Sequence, residues 1–176
     1  MNVAYFHGLE STSPSDKSRY LEKTFSTAYS PLMDYKKSET FNNVLAEVKS
    51  RKIDFLIGSS MGGWFAYCIS TLTGIPTLLF NPGLQGRSID PHVLLGTRKS
   101  NHTVIFGKSD KVIDPYKSIE WIEKNGIGQF TTHFENNGHR TPIEVFRKWV
   151  RKCVLNEHEY SQILSFNEFL NENNIK

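Results

Sequence analysis

The chain has few cysteines, no long apolar run and no block of like charge, and each shortage removes a class of protein. Cys68 and Cys153 are its only cysteines, too few and too isolated for a disulfide framework or a metal-ligand spacing. Cys68 lies in an apolar stretch and reads as a reduced core residue. No uninterrupted apolar run approaches the roughly 18 residues needed to cross a bilayer, so no membrane span is expected. Residues 1–8 carry no basic leader, apolar region or cleavage signal, and a soluble cytoplasmic protein is the expectation. Net charge is only +3, with Lys and Arg spread among Asp and Glu. Without a basic tract interleaved with aromatics, no nucleic-acid partner is expected. The absence of a metal-ligand cluster and of a phosphate-loop lysine points to no metal and no organic cofactor.

What remains is ordinary globular material. At 176 residues, 38% hydrophobic and 22% charged, the chain suits one domain able to bury a sizeable core. Short apolar runs at 3–6, 53–57, 77–80, 103–106 and 129–134 predict strands, with a weaker one at 28–33 that Pro31 places near a sheet edge. Between them lie segments of helical period. Ser13, Pro14 and Asp16 read as N-cap, first-turn proline and N3 carboxylate of a helix running to about residue 25. Helices follow at 39–50, at 61–72 (apolar nearly all round, hence buried), near 116–124 and at 142–155. Alternating strands and helices imply right-handed crossovers and a parallel sheet of about six strands.

The chemistry concentrates around Gly58-Ser59-Ser60-Met61-Gly62, a G-x-S-x-G nucleophile elbow. A strand turning sharply into a helix strains the serine backbone and lifts its hydroxyl above the sheet. Glycines on either side let strand and helix approach. By composition the pattern arises by chance in roughly one chain in a dozen; its place between an apolar strand and a buried helix gives it weight. A serine nucleophile needs a base and an acid, which in this arrangement follow in the order Ser, Asp or Glu, His. His139, in a turn after the strand at 129–134, is the histidine so placed. His158 lies in the tail, and His133 alternates within a strand as a structural residue. The acid is Asp110 or Asp114. Asp114 precedes Pro115 at a helix start, which explains it as an N-cap, so Asp110 is favoured. Two backbone N–H groups, of Met61 and of Leu9 in the loop after the first strand, form the expected oxyanion hole.

His7-Gly8-Leu9-Glu10-Ser11-Thr12-Ser13-Pro14, Gly58-Ser59-Ser60-Met61-Gly62-Gly63, Phe80-Asn81-Pro82-Gly83-Leu84 and the Asp110 and His139 loops together resemble the small YqiA/YcfP-type esterase family. The blocks occur in the same order and cover most of the chain to about residue 155. The resemblance implies a minimal α/β-hydrolase fold: three α/β/α layers, a mostly parallel sheet, no large cap domain. It also implies short-chain ester cleavage by Ser60, Asp110 and His139 with Leu9 and Met61 as oxyanion donors. The chain departs from the family pattern after the histidine, where Arg140 and Thr141 stand in place of an aromatic residue, and this bears on the acyl or leaving-group pocket.

Residues 1–155 are thus expected to form the hydrolase domain and 156–176 a helical extension packed on or near it. A small-molecule acyl substrate is the expected partner, with the protein a monomer or homodimer. Ester, thioester and amide substrates and acyl transfer stay open, because a triad does not name its acyl group, as does a non-catalytic binding role on the same fold. Two residues bear on specificity: Arg140, and Glu10, which either favours a cationic substrate or braces its own Ser/Thr-rich loop. With no large insertion between Asn81 and Asn101, only a short segment at 83–95 is expected over an open pocket.

Overall fold

The structure, a computed structural model, describes residues 1–85 and 92–155. The expected extension at 156–176 lies outside the described residues. Six strands, β1 (Asn2–Phe6), β2 (Thr27–Tyr29), β3 (Phe55–Ser59), β4 (Thr77–Phe80), β5 (Asn101–Gly107) and β6 (Gln129–Glu135), form one sheet in the order β2-β1-β3-β4-β5-β6. All five pairings are parallel. Helices α1 (Asp16–Thr24), α2 (Thr40–Ser50), α3 (Met61–Thr73) and α4 (Pro115–Asn125) lie between β1 and β2, β2 and β3, β3 and β4, and β5 and β6, and α5 (Ile143–Cys153) follows β6.

The period-two alternation of strand side chains sorts the core into two layers. Val3, Tyr5, Ile57, Leu78, Phe80 and Ile105 face α1 and α5, where Leu21, Phe25, Phe146 and Trp149 pack on them. Ala4, Phe6, Leu56, Leu79, Val104 and Phe106 face the other way, against Phe41 and Val44 of α2, Trp64 and Phe65 of α3 and Ile122 of α4. Strands buried on both faces must be largely apolar, as β4 is from Leu78 to Phe80. Helix α3 is buried from Met61 to Thr71, which explains its lack of a polar face, and Cys68 is fully buried within it and in no disulfide.

Some local expectations shift. The cap of α1 is Ser15, not Ser13: Ser15 and Ser18 exchange side-chain hydrogen bonds with each other's backbone N–H in a capping box. Ser13 instead donates its hydroxyl to the Ser30 carbonyl at 2.6 Å, tying the loop before α1 to the end of β2. The weak strand at 28–33 is only Thr27–Tyr29 and occupies the sheet edge. It ends before Pro31, which has no N–H to give a ladder. Beyond it the chain turns inward, where Met33 and Tyr35 hydrogen-bond to His7. No helix among the described residues is long and apolar enough to cross a membrane.

One buried polar group gives the fold a pH dependence. His102, 1% exposed, meets the Thr77 hydroxyl through Nδ1 at 3.0 Å and the Ile127 carbonyl through Nε2 at 2.9 Å. Burial lowers its pKa, partly opposed by the Ile127 carbonyl. The folded protein therefore holds it neutral at pH values where the unfolded chain takes up a proton. Its contribution to stability is complete above about 6.5 and declines as the pH falls below that value. Urea midpoints measured at pH 7.5 and 5.5 should fall with acidification, and His102→Gln should flatten the difference.

Candidate active site

The strand order reverses between β1 and β3. From β1 the chain leaves by α1 on one face and β2 on the outer side, whereas β3 feeds α3 on the opposite face. Loops that diverge at such a point leave a crevice at the carboxyl ends of the strands. Ser60 stands in it, between β3 and α3, with φ 53° and ψ −119°. A non-glycine residue in that conformation is strained and persists only where its surroundings hold it. Its N–H donates to the Phe80 carbonyl at 2.9 Å, and its own carbonyl accepts from Gly63, Trp64 and Gly83. The turn also needs its glycines: a Cβ on Gly58 would lie 2.7 Å from the Gly63 Cα, and one on Gly62 would run into the carbonyls of Phe6 and His7.

His139 reaches Ser60 from the loop between β6 and α5, its Nε2 2.9 Å from the Ser60 Oγ. Its Nδ1 is 2.8 Å from the Asp110 Oδ2. The Asp110 side chain is fully buried, and its second oxygen accepts from the backbone N–H groups of Val112 and Ile113 at 2.8 and 2.9 Å. Both carboxylate oxygens are thereby committed, which holds the imidazole with Nδ1–H toward Asp110 and leaves Nε2 free to accept from the serine hydroxyl. Asp114 is elsewhere engaged: it caps α4, accepting from the N–H groups of Tyr116 and Lys117, with Pro115 at the first helical position.

The histidine loop has an anchor that the sequence did not disclose. Asn81, at the end of β4 with φ 43°, donates through Nδ2 to the Gly138 and His139 carbonyls at 3.2 and 2.8 Å and accepts the Gly107 N–H through Oδ1 at 2.7 Å. One amide thus joins the ends of β4 and β5 to the His139 loop. Its only local signal is the Asn-Pro-Gly turn chemistry, since Asn tolerates positive φ.

The loop after β1 closes the other side. A Cβ on Gly8 would lie 3.3 Å from the Ser60 Cβ, so the loop passes directly against Ser60. The Gly8 carbonyl accepts from His7 Nδ1 at 2.7 Å and from the Ser11 N–H at 3.1 Å. His7 Nε2 accepts in turn from the Met33 N–H at 3.0 Å, and Tyr35 donates its hydroxyl to the His7 carbonyl. Because C=O and N–H of a trans peptide point oppositely, anchoring the Gly8 oxygen fixes the direction of the Leu9 N–H. Neither the Leu9 N–H nor the Met61 N–H forms a hydrogen bond among the described residues.

A cavity of about 590 Å³ opens beside Ser60 and His139. Glu10 and Arg140 both line it, as exposed residues on its rim, joined by Tyr5, Ser59 and Lys17 toward the α1–α5 side. Burial raises the Tyr5 phenol to about 12, so it is a neutral hydroxyl at physiological pH, 3.4 Å from the Ser59 hydroxyl. Of the segment expected over the site, 86–91 fall outside the described residues and 92–95 do not line the cavity. Val93 packs on the α2–α3 side of the sheet instead. Among the described residues no cluster of three or more His, Cys, Asp or Glu side chains could hold a metal ion.

Comparison with solved structures places this architecture among α/β hydrolases. A protein described as a hydrolase of the α/β superfamily, from Xanthomonas campestris, superposes with a TM-score of 0.62 at 16% identity, over 83% of this chain and 92% of that one. Est1E from Butyrivibrio proteoclasticus gives 0.60 at 14% identity, over 87% and 86%. The Bacillus cereus carboxylesterase gives 0.58 at 19% identity, over 86% and 87%. At such identities the likeness is one of fold. No curated protein matches the sequence. The family model that does match takes in residues 2–95, the stretch holding the β1 loop, the elbow and the Asn-Pro-Gly turn, and by it the chain belongs to the uncharacterised protein family UPF0227, the YcfP/YqiA-like group its sequence blocks resemble.

Proposed function

We propose that the protein is a serine hydrolase that cleaves small carboxylic esters through an acyl-enzyme on Ser60. The observation that carries this reading is the continuous relay from the strained Ser60 through His139 to the buried Asp110. His139 Nε2 takes the proton of the Ser60 hydroxyl as Oγ attacks the ester carbonyl carbon. The carbonyl π electrons move to oxygen, and the oxyanion is met by the Leu9 and Met61 N–H groups. Asp110 balances the imidazolium through Nδ1–H. On collapse the carbon–oxygen bond to the alcohol breaks, and the departing oxygen takes the proton from Nε2. A water molecule, deprotonated by the same nitrogen, then attacks the acyl-enzyme. The acid leaves, and Ser60 recovers its proton.

The test is labelling by a fluorophosphonate probe, with turnover of p-nitrophenyl acetate and butyrate measured alongside. One-to-one labelling, lost in Ser60→Ala and strongly reduced in His139→Ala, is expected. A wild-type protein that neither labels nor turns over either ester above its Ser60→Ala background would overturn the reading.

A further inference from the structure

We propose, on the hydrolase reading above, that Lys17 makes the cavity beside Ser60 a site for esters that carry a carboxylate. Lys17 lies in the first turn of α1, where its side chain lines the cavity and its Nζ sits 5.5 Å from the centre of the Phe146 ring. Phe146 is wholly buried, so the amine reaches below the rim that Glu10 and Arg140 occupy. No carboxylate among the described residues forms an ion pair with it; its neighbour Asp16 is engaged with Arg19 at 2.8 Å.

This is a costly place for a cation. Half-burial removes hydration, the positive end of the helix dipole repels it, and the aromatic face beneath supplies only a modest return. A methionine would suit the same packing without those costs. A charge kept in such a position, opening on the cavity that holds the nucleophile, is matched to a negative partner that arrives with the substrate. Charged hydrogen bonds made away from bulk water are the strong ones. The rim adds Arg140, exposed and without an ion pair among the described residues. The ester's carboxylate can belong to its acyl part or to its alcohol part.

Burial lowers the Lys17 amine to about 8, so the preference should depend on pH. The other ionisable groups around it are Tyr5 on β1, Glu10 in the β1–α1 loop, Asp16 on α1, and His139 and Arg140 before α5. Arg147 on α5 lies over the Tyr20 ring of α1. Tyr5, raised to about 12 by burial, titrates far above the range concerned.

The experiment compares kcat/KM within two matched pairs. p-Nitrophenyl hemiglutarate against p-nitrophenyl valerate places the charge on the acyl side; para-acetoxybenzoate against its methyl ester places it on the alcohol side. Wild type should favour the charged member of at least one pair. Lys17→Met should lower that charged-to-neutral ratio by about 10- to 100-fold, chiefly through KM, and Lys17→Arg should restore part of it. In wild type the ratio should decline as the pH rises through about 8, and in Lys17→Met it should not. Removal of the costly charge should also raise the Tm of Lys17→Met, which separates the loss of preference from loss of fold. Normal fluorophosphonate labelling with no charged preference in either pair, or with a ratio unmoved by Lys17→Met, overturns the inference alone. A wild type that neither labels nor turns over any of the esters overturns the hydrolase reading and the inference together.

Discussion

Asp110→Asn should lower kcat by roughly 10⁴-fold while leaving the fold intact. The carboxylate has both oxygens in use, Oδ2 to His139 Nδ1 and Oδ1 to two backbone N–H groups. An asparagine can satisfy the backbone donors with its amide oxygen, but it then presents an NH₂ to Nδ1. The imidazole answers by moving its proton to Nε2, and the nitrogen 2.9 Å from the Ser60 Oγ can no longer accept. Asp114→Ala is the informative companion. It removes a cap bonded to Tyr116 and Lys117 and should cost about 1 kcal/mol of stability, with turnover of p-nitrophenyl butyrate retained. Steady-state kinetics and thermal unfolding on both variants separate the two carboxylates. If turnover were lost in Asp114→Ala and kept in Asp110→Asn, the roles would be exchanged.

The second large effect is structural. Gly62→Ala should destabilise the protein by about 3 kcal/mol or more, lowering Tm by roughly 6–12 °C for a chain of this size. The added Cβ would meet the Phe6 carbonyl and lie 2.5 Å from the His7 oxygen. Both are backbone, so neither can rotate away, and β1 must separate from the start of α3. That movement shifts Ser60 relative to the Leu9 loop, so fluorophosphonate labelling should slow as well. Gly138→Ala offers a contrast in stability, because its Cβ would make ordinary contact at 3.5 Å with the Ser109 carbonyl. An unchanged Tm in Gly62→Ala would mean that strand and helix do not approach as closely at the elbow as described.

Much of this architecture was legible locally. The apolar runs at 77–80 and 103–106 could only be buried strands, and the all-round apolar stretch after the elbow could only be a covered helix. The Gly-x-Ser-x-Gly spacing marks a strand-to-helix turn because no bulkier residue fits at 58 or 62. Errors arose where local chemistry had rivals. Ser13 was expected to cap α1, but the cap is Ser15, because Ser18 stands three residues after it and returns its bond, while Ser13 finds a partner at Ser30. The strand expected at 53–57 begins two residues later, at Phe55, since an apolar run shows that a segment is buried but not where its ladder starts.

By itself, then, the sequence determined the strand–helix alternation, the parallel sheet and the position of the elbow, because each rests on spacings of a few residues. Only the tertiary structure decided what stands around Ser60. His139 comes to it across 79 residues and Asp110 to His139 across 29. Asn81 reaches the same loop from β4 across 58, and His7 holds the Leu9 peptide with help from Met33 and Tyr35 beyond the edge strand. Lys17 looks in sequence like any charged residue on a surface helix. Its meaning depends on α5 closing over α1 and bringing Phe146 beneath the amine, a long-range packing event that no local pattern records.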